Sequence, residues 1–331
     1  MMTGPDEPPD EFALIARLFA PLARGFPGAY GLLDDAAVIA PAAGEELVVT
    51  KDLMVEGVHY LPDDPPELVA RKLIRVNLSD LAAKGATPLA YLLGLALPRT
   101  VTLRWLDAFA AGLAADQASY GMHLIGGDTA ATDGPVVLSL TALGTLPAGT
   151  MLRRGGARPG DRLYVSGTIG DAALGLKALG GGLAGLSAAS RDHLIGRYRL
   201  PQPRTALGVR LRSLAHASLD VSDGLIADLG HICEVSKVGA EIEAAKLPLS
   251  SAAREALDDD PALLKQALTG GDDFEILFSA PADATPAVAA ASEAAAVPVA
   301  EIGRIVEGQG VKAIDPDGKP LAITDGGYRH F

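Results

Sequence analysis

Short acidic motifs recur along this chain at expected strand and loop ends. They read Leu33-Asp34-Asp35-Ala36-Ala37-Val38, Thr50-Lys51-Asp52, Asn77-Leu78-Ser79-Asp80, Gly126-Gly127-Asp128-Thr129 and Asp220-Val221-Ser222-Asp223-Gly224. Carboxylates from motifs so far apart in sequence, gathered into one site, would repel unless cations sat between them. Hard cations take oxygen ligands, and Mg²⁺ with bound phosphates is the commonest such pairing. The chemistry indicated is phosphoryl transfer.

Each motif also has a plainer use. Asp34-Asp35 suits a turn. Asp35 and Asp52 border a short strand pair, Ala36–Ile39 and Glu46–Thr50, and a hairpin-like arrangement would bring them together. Asn77, Asp80 and Lys84 share one helix face. A carboxylate in a helix's last turn is disfavoured by the macrodipole, which a cation would offset. Gly126-Gly127 lets the backbone approach a phosphate closely, with Asp128 meeting its metal, and a strand-end turn has the same pattern. Asp220 and Ser222 point the same way if their strand persists. Ser222 or Asp223 then caps the helix beginning near Gly224. Ser166-Gly167-Thr168-Ile169-Gly170-Asp171 is a glycine-rich strand-to-helix turn. It either cradles an anion or is a tight turn with Asp171 as N-cap. Gly270-Gly271-Asp272-Asp273-Phe274-Glu275 opens a strand with adjacent acids that could receive a cationic substrate. Arg154 is a candidate phosphate clamp, and His59 follows closely after Asp52. There is no P-loop sequence and no protein-kinase signature set.

Two series of alternating elements must position these residues. Apolar spacing predicts helices over Glu11–Leu22, Pro66–Ala83 and Leu103–Tyr120, with strands at Ala36–Ile39, Glu46–Thr50, Ala90–Leu97, His123–Ile125 and Val136–Leu143. Residues 145–160 are dense in turn formers and place a boundary there. Domains are expected at 1–148 and 149–331. In the second, strands are predicted at Leu163–Val165, Ser218–Val221, Phe274–Phe278 and Val299–Ile302. Helices are predicted at Asp171–Leu179, Thr205–Leu214, Leu225–Val235 and Ala282–Ala294, and Gly180–Ser190 reads as a surface segment. The fold class is α/β (α+β), with mixed sheets flanked by helices.

The 331 residues are 49% hydrophobic and 21% charged, as in a globular protein with a large core. A net charge of −13 argues against nucleic acid as partner. It leaves room for an anionic substrate, because bound Mg²⁺ reverses the local field. The lone cysteine, Cys233, excludes an intrachain disulfide framework and a Cys-cluster metal site. The six histidines form no zinc pattern. The pattern predicts no signal peptide, no membrane span and a cytoplasmic setting.

With its motifs in this order, the chain resembles the thiamine-monophosphate kinase family. That family belongs to the superfamily that also contains aminoimidazole ribonucleotide synthetase, selenophosphate synthetase and a hydrogenase maturation factor. The likeness runs from Glu11-Phe12-Ala13-Leu14-Ile15 to Tyr328. Its most specific parts are Val55-Glu56-Gly57-Val58-His59, the run from Asn77 to Ala86, the Gly-Gly-Asp-Thr motif and Asp220 to Leu225. The resemblance implies the aminoimidazole ribonucleotide synthetase-like two-domain fold. It implies ATP-dependent phosphorylation of thiamine monophosphate to thiamine diphosphate, several Mg²⁺ ions, and a homodimer formed through the N-terminal domains. Residues resembling the family's Mg²⁺ ligands are Asp35, Thr50, Asp52, Asp80, Asp128, Asp220 and Asp223. Those resembling its ATP contacts are Gly127, Asp128, Arg154 and Ser222, and those resembling its thiamine-phosphate contacts are His59, Asp272 and Tyr328. Leu33 stands where the family usually has glycine, Lys51 replaces a small hydroxyl residue, and Asp272 replaces a common glutamate.

The nucleophile implied is a phosphate oxygen, already anionic at neutral pH, so no general base is expected and no catalytic residue of that kind is assigned. Rival readings are another ATP-dependent superfamily member or a non-catalytic nucleotide-binding partner protein. Selenophosphate synthetase would carry a reactive Cys near its start, and the first 232 residues here contain none. The maturation factor would end in a Cys-bearing tail, where this sequence reads Arg329-His330-Phe331. The motif contexts fit aminoimidazole ribonucleotide synthetase less well.

Overall fold

The computed structural model describes residues 11–315, 318–321 and 327. The chain forms two compact units. One comprises residues up to Leu81 with Thr87–Ala148, and the other Ala82–Ala86 with residues from Gly149 on.

The first unit begins with helical turns of changing pitch: α1 (Glu11–Leu14), a π turn (Ile15–Phe19) and 3₁₀ turns at Ala20–Ala23 and Pro27–Leu32. The expected Glu11–Leu22 helix is therefore not one α-helix. Pro21, lacking an N–H, stands where the pitch tightens. The expected strand Ala36–Ile39 is absent. Val38 N–H instead donates to Gly28 O at 2.9 Å. A Cβ on Gly28 would lie 2.0 Å from that Val38 carbonyl oxygen, so only glycine permits this approach. The segment thus folds back on the 3₁₀ turn and forms no hairpin linking Asp35 to Asp52.

The sheet of this unit contains β1 (Glu45–Val55), β2 (Thr87–Pro98), β3 (His123–Thr132) and β4 (Val137–Pro147), in the order β1-β4-β2-β3. β2 and β3 run parallel, joined through α3 (Leu103–Tyr120), and the other pairs are antiparallel. Alternation along β1 puts Val48, Thr50, Asp52 and Met54 on an inner face. α2 (Pro66–Ala83) and α3 cover that face: Thr50 Oγ1 donates to Asp80 Oδ2 on α2, and Tyr91 Oη donates to Gln117 Oε1 on α3 at 3.1 Å. The two helices are joined by the fully buried Asp116, which receives Arg75 and Arg71. The outer face keeps Leu47, Val49, Leu53 and Leu92 exposed.

The second unit holds a six-stranded mixed sheet in the order β10-β7-β9-β5-β8-β6. In chain order its elements are β5 (Arg162–Ser166), α4 (Asp171–Leu179), α5 (Ala188–Arg199), α6 (Thr205–Leu211), β6 (Ala217–Asp220), α7 (Leu225–Ser236) and β7 (Gly239–Glu243). α8 (Ser251–Asp259), α9 (Leu263–Thr269), β8 (Ile276–Ala280), α10 (Thr285–Ala295), β9 (Val299–Val306) and β10 (Gly310–Ile314) follow. The sheet is buried on both faces, with residues of period two entering opposite cores. Leu163, Val165 and Leu277 pack with Leu225, Leu229 and Ile232 of α7. Tyr164, Ile276 and Phe278 pack with Leu207 and Leu211 of α6 and Val288 of α10. Cys233 lies in the first of these cores, where burial pushes its thiol up to about 11. The thiol packs as a small apolar side chain there.

Candidate active site

In the first unit a cleft of about 640 Å³ opens on the outer face of the sheet. Asp34 and Asp35 line it from one side, and Gly126, Gly127 and Asp128 from β3. The Gly-Gly-Asp-Thr motif is not a turn after a strand: β3 continues through it, with Asp128 opposite Gly94. Gly127 is demanded by the ladder itself, since a Cβ there would lie 2.0 Å from Leu93 O. The structure therefore brings Asp35, Gly127 and Asp128 to one cleft.

A second group lies on the inner face. Asp52 sits within β1, not beyond its end, and shares a side with Thr50. Thr50 reaches Asp80 in the last turn of α2, as the helix-end reading requires. His59 occupies the turn after β1. Its Nδ1 accepts Val55 N–H at 3.1 Å, so the neutral ring carries its proton on Nε2. Lys72 Nζ donates to the His59 carbonyl at 3.1 Å.

In the second unit the loop after β6 is zipped to the loop before β8. Val221 N–H donates to Glu275 O at 2.8 Å, Asp272 N–H to Ser222 O at 2.9 Å, and Phe274 N–H to Val221 O at 2.8 Å. Asp220, Ser222, Asp223 and Asp272 are thereby gathered in one place. Asp272 and Phe274 pay for this with φ of 71° and 52°, in the left-handed region. The strand ends at Asp220, so the shared direction expected of Asp220 and Ser222 does not follow from strand alternation. Neither Ser222 nor Asp223 caps α7. Gly224 is its N-cap, without a side-chain cap bond.

The loop amides go instead to Asp228, one turn into α7, a residue the sequence reading missed. Its Oδ2 accepts N–H from Ser222, Asp223 and Gly224 at 3.0, 3.0 and 3.1 Å. Burial, then Asp220 and Asp223, push its carboxyl up to about 8 against those bonds. Asp223, Asp228 and His231 offer ligand atoms within 4.8 Å of one another.

The glycine-rich turn before α4 has a parallel solution. Gly170, not Asp171, is the N-cap. The amides of Gly170 and Ala172 take the buried Asp273 carboxylate at 2.6 and 3.1 Å. The turn does cradle an acidic group, and that group is an internal side chain. Asp171 receives the hydroxyls of Thr168 and Ser250, each at 2.6 Å. Beside it the fully buried Glu275 accepts Ser166 at 2.6 Å, Arg197 at 2.8 Å and Arg204 at 2.5 Å. The advance signal for Asp228 was an acid one turn after Gly224, whereas Asp273 stood in a Gly-Gly-Asp-Asp run before a strand, far in sequence from the turn it fills. Arg154 lies exposed in the segment before β5. Tyr328 lies outside the described residues.

Among the described residues no helix is long and apolar enough to cross a membrane. Residues 33–146 match the family model of AIR synthase related protein, N-terminal domain, and residues 158–316 its C-terminal domain. The chain is 47% identical to thiamine-monophosphate kinase of Caulobacter vibrioides, over 92% of this chain and 87% of that one. It is similar to the crystal structure of thiamine-monophosphate kinase from Stenotrophomonas maltophilia, with 44% identity, TM-score 0.84, and 94% and 98% of the two chains covered. It is also similar to AaThiL complexed with AMPPCP and TMP, with 31% identity, TM-score 0.76, and 92% and 97% covered.

Proposed function

The chain belongs to the thiamine-monophosphate kinase family of AIR synthase related proteins, and we propose that it transfers the terminal phosphoryl group of ATP to a phosphate oxygen of thiamine monophosphate. The products are thiamine diphosphate and ADP. The observation that carries this is the whole-length likeness to relatives of that name, one of them held with an ATP analogue and TMP. The acceptor oxygen is anionic at neutral pH, so the chain need supply no base. It must hold two anions in line and exclude water.

Oxygen donors suit Mg²⁺. Thr50 and Asp80 already touch, and Asp52 shares the β1 face with Thr50. In this reading Asp35, Thr50, Asp52, Asp80, Asp128, Asp220 and Asp223 hold the ions, which when bound neutralise the phosphates. Gly127, with a backbone no side chain shields, lies against ATP together with Asp128, Ser222 and Arg154. The Nε2 proton of His59 suits a substrate phosphate, and Asp272 suits the cationic thiazolium ring. Tyr328 is assigned to the same substrate from the family resemblance.

A homodimer is part of this reading. β1 and β3 are opposite edges of the first sheet, three strand spacings of about 4.8 Å apart. Asp52 and Asp128 also face opposite sides. What supports a second copy is the outer face itself, where Leu47, Val49, Leu53 and Leu92 are exposed. A cytoplasmic setting, which supplies ATP and Mg²⁺, completes it. Purified protein with ATP, Mg²⁺ and thiamine monophosphate is expected to form thiamine diphosphate and ADP in equal amounts, read by chromatography. ADP without thiamine diphosphate would overturn the assigned acceptor.

A further inference from the structure

The loop Val221–Gly224 carries Ser222 and Asp223, yet it belongs to no strand or helix. Its carbonyls at Val221 and Ser222 are bound by the facing loop, as is the Val221 N–H. Its remaining amides, Ser222, Asp223 and Gly224, all converge on one oxygen of Asp228. Steric limits close the other directions. A Cβ on Gly224 would lie 2.5 Å from Thr269 O, and one on Gly271 2.2 Å from Ser222 O. An ordinary cap satisfies one or two amides of its own helix. Asp228 reaches back beyond the helix to residues that present side chains to the site.

We propose that Asp228 is a positioning residue for the phosphoryl transfer: its buried carboxyl group gathers the amides of Ser222, Asp223 and Gly224 on one oxygen and so fixes where Ser222 and Asp223 present their oxygens. The proposal rests on the kinase reading for its catalytic consequence, but its structural half stands alone. Asp228 does its work at a distance from the reacting atoms, as partners of ligand-bearing groups do. Asn at this position keeps the shape but offers a single acceptor oxygen, with an NH2 in place of the second, so only one side-chain orientation still receives the three N–H groups.

The test uses the full chain and two readouts. Hydrogen exchange on the wild type should find the amides of Ser222, Asp223 and Gly224 as protected as the strands of the second sheet. Rapid exchange there in the folded protein overturns the proposal, whatever the activity. Kinetics with ATP and thiamine monophosphate at varied Mg²⁺ should show kcat falling about tenfold or more in Asp228→Asn. The Mg²⁺ concentration for half-maximal rate should rise about tenfold, with the melting temperature little changed. Asp228→Ala should go further in the same direction. Unchanged kcat and Mg²⁺ dependence in Asp228→Asn, or loss of folding in that variant, assigns the residue to the fold alone and overturns the proposal. A wild type without kinase activity sinks the kinase reading instead and leaves exchange to decide the loop.

Discussion

The two units hold their acidic residues by different means. In the first, Asp52 and Asp128 stand on strands, and the ladder that places them is the sheet's own hydrogen bonding. In the second, Ser222, Asp223 and Asp272 stand in loops outside the sheet ladders, zipped to one another by backbone bonds, and buried acids take the amides left over. Asp228 holds one loop and Asp273 anchors the other, with Glu275 clamped between Arg197 and Arg204. A strand-borne carboxylate can be lost without disturbing its backbone. A loop held by a buried acid fails when that side chain is removed outright. Truncations of the second unit's buried acids should therefore mix folding with function, whereas isosteric changes there and changes at exposed carboxylates of the first should separate them.

The sharpest break comes from Glu275→Ala. Glu275 is fully buried, and its removal leaves two largely buried guanidinium groups without their partner. Breaking such a pair costs about 3–5 kcal/mol. A large drop in the urea midpoint is expected, and activity should fall with it. A variant as stable as the wild type would show the clamp to be dispensable and dissolve the contrast.

Asp128→Asn supplies the opposite case. Asp128 is exposed on β3. Its loss should cut kcat on the order of a hundredfold to a thousandfold, with the melting temperature unmoved. A parallel fall in stability would mean that the strand-borne site is also a folding element.

Gly127→Ala asks whether the ladder truly sets the first site. The added Cβ would lie 2.0 Å from Leu93 O, a backbone atom that cannot step aside. The parallel pair β2 and β3 must part, at about 1–3 kcal/mol. Gly57→Ala is the control, with φ of 78° but open space around it. It should cost only the left-handed strain, about 1–2 kcal/mol, with kcat retained. Equal loss of activity in both would remove the close approach from the explanation.

The same contrast explains what could be read beforehand. α2 and α3 span the predicted Pro66–Ala83 and Leu103–Tyr120, because long amphipathic repeats and terminal turn signals are local properties. Ala36–Ile39 has strand composition but spends a key amide on Gly28, a tertiary choice no local pattern announces. α5, α8, α9, β7 and β10 went unread: α5 is polar over most of its surface, α9 is short, and β7 and β10 are short strands, β10 at the sheet's edge. The acid motifs were legible as a set. Their supports were not, since Asp273 meets Gly170 across 103 residues of sequence. An acid's use as an internal template depends on what folds over it.

The smallest effect is a pH dependence, and it probes the template directly. Burial pushes the Asp273 carboxyl up to about 8, although the Gly170 and Ala172 amides and Arg197 favour the anion. The folded chain then keeps a proton that the unfolded chain releases near the ordinary aspartate value of 3.8. The stability so gained is complete below the unfolded value and is lost as pH rises through about 8. Between pH 7 and pH 9 the loss is about 1.4 kcal/mol from this group. Asp228, also pushed up to about 8, adds a similar slope. Asp273→Asn should therefore remove roughly half of the fall in urea midpoint over that interval. Because the Gly170 and Ala172 amides go to different carboxyl oxygens and Asn keeps only one of them, the variant should start below the wild type at the acid end and fall less steeply toward the alkaline end. A variant with the wild-type slope would mean that Asp273 is ionised throughout, its charge held by the two amides and Arg197. The second unit's template would then be an anion at every working pH, and its loops would owe their shape to charge as well as to hydrogen-bond geometry.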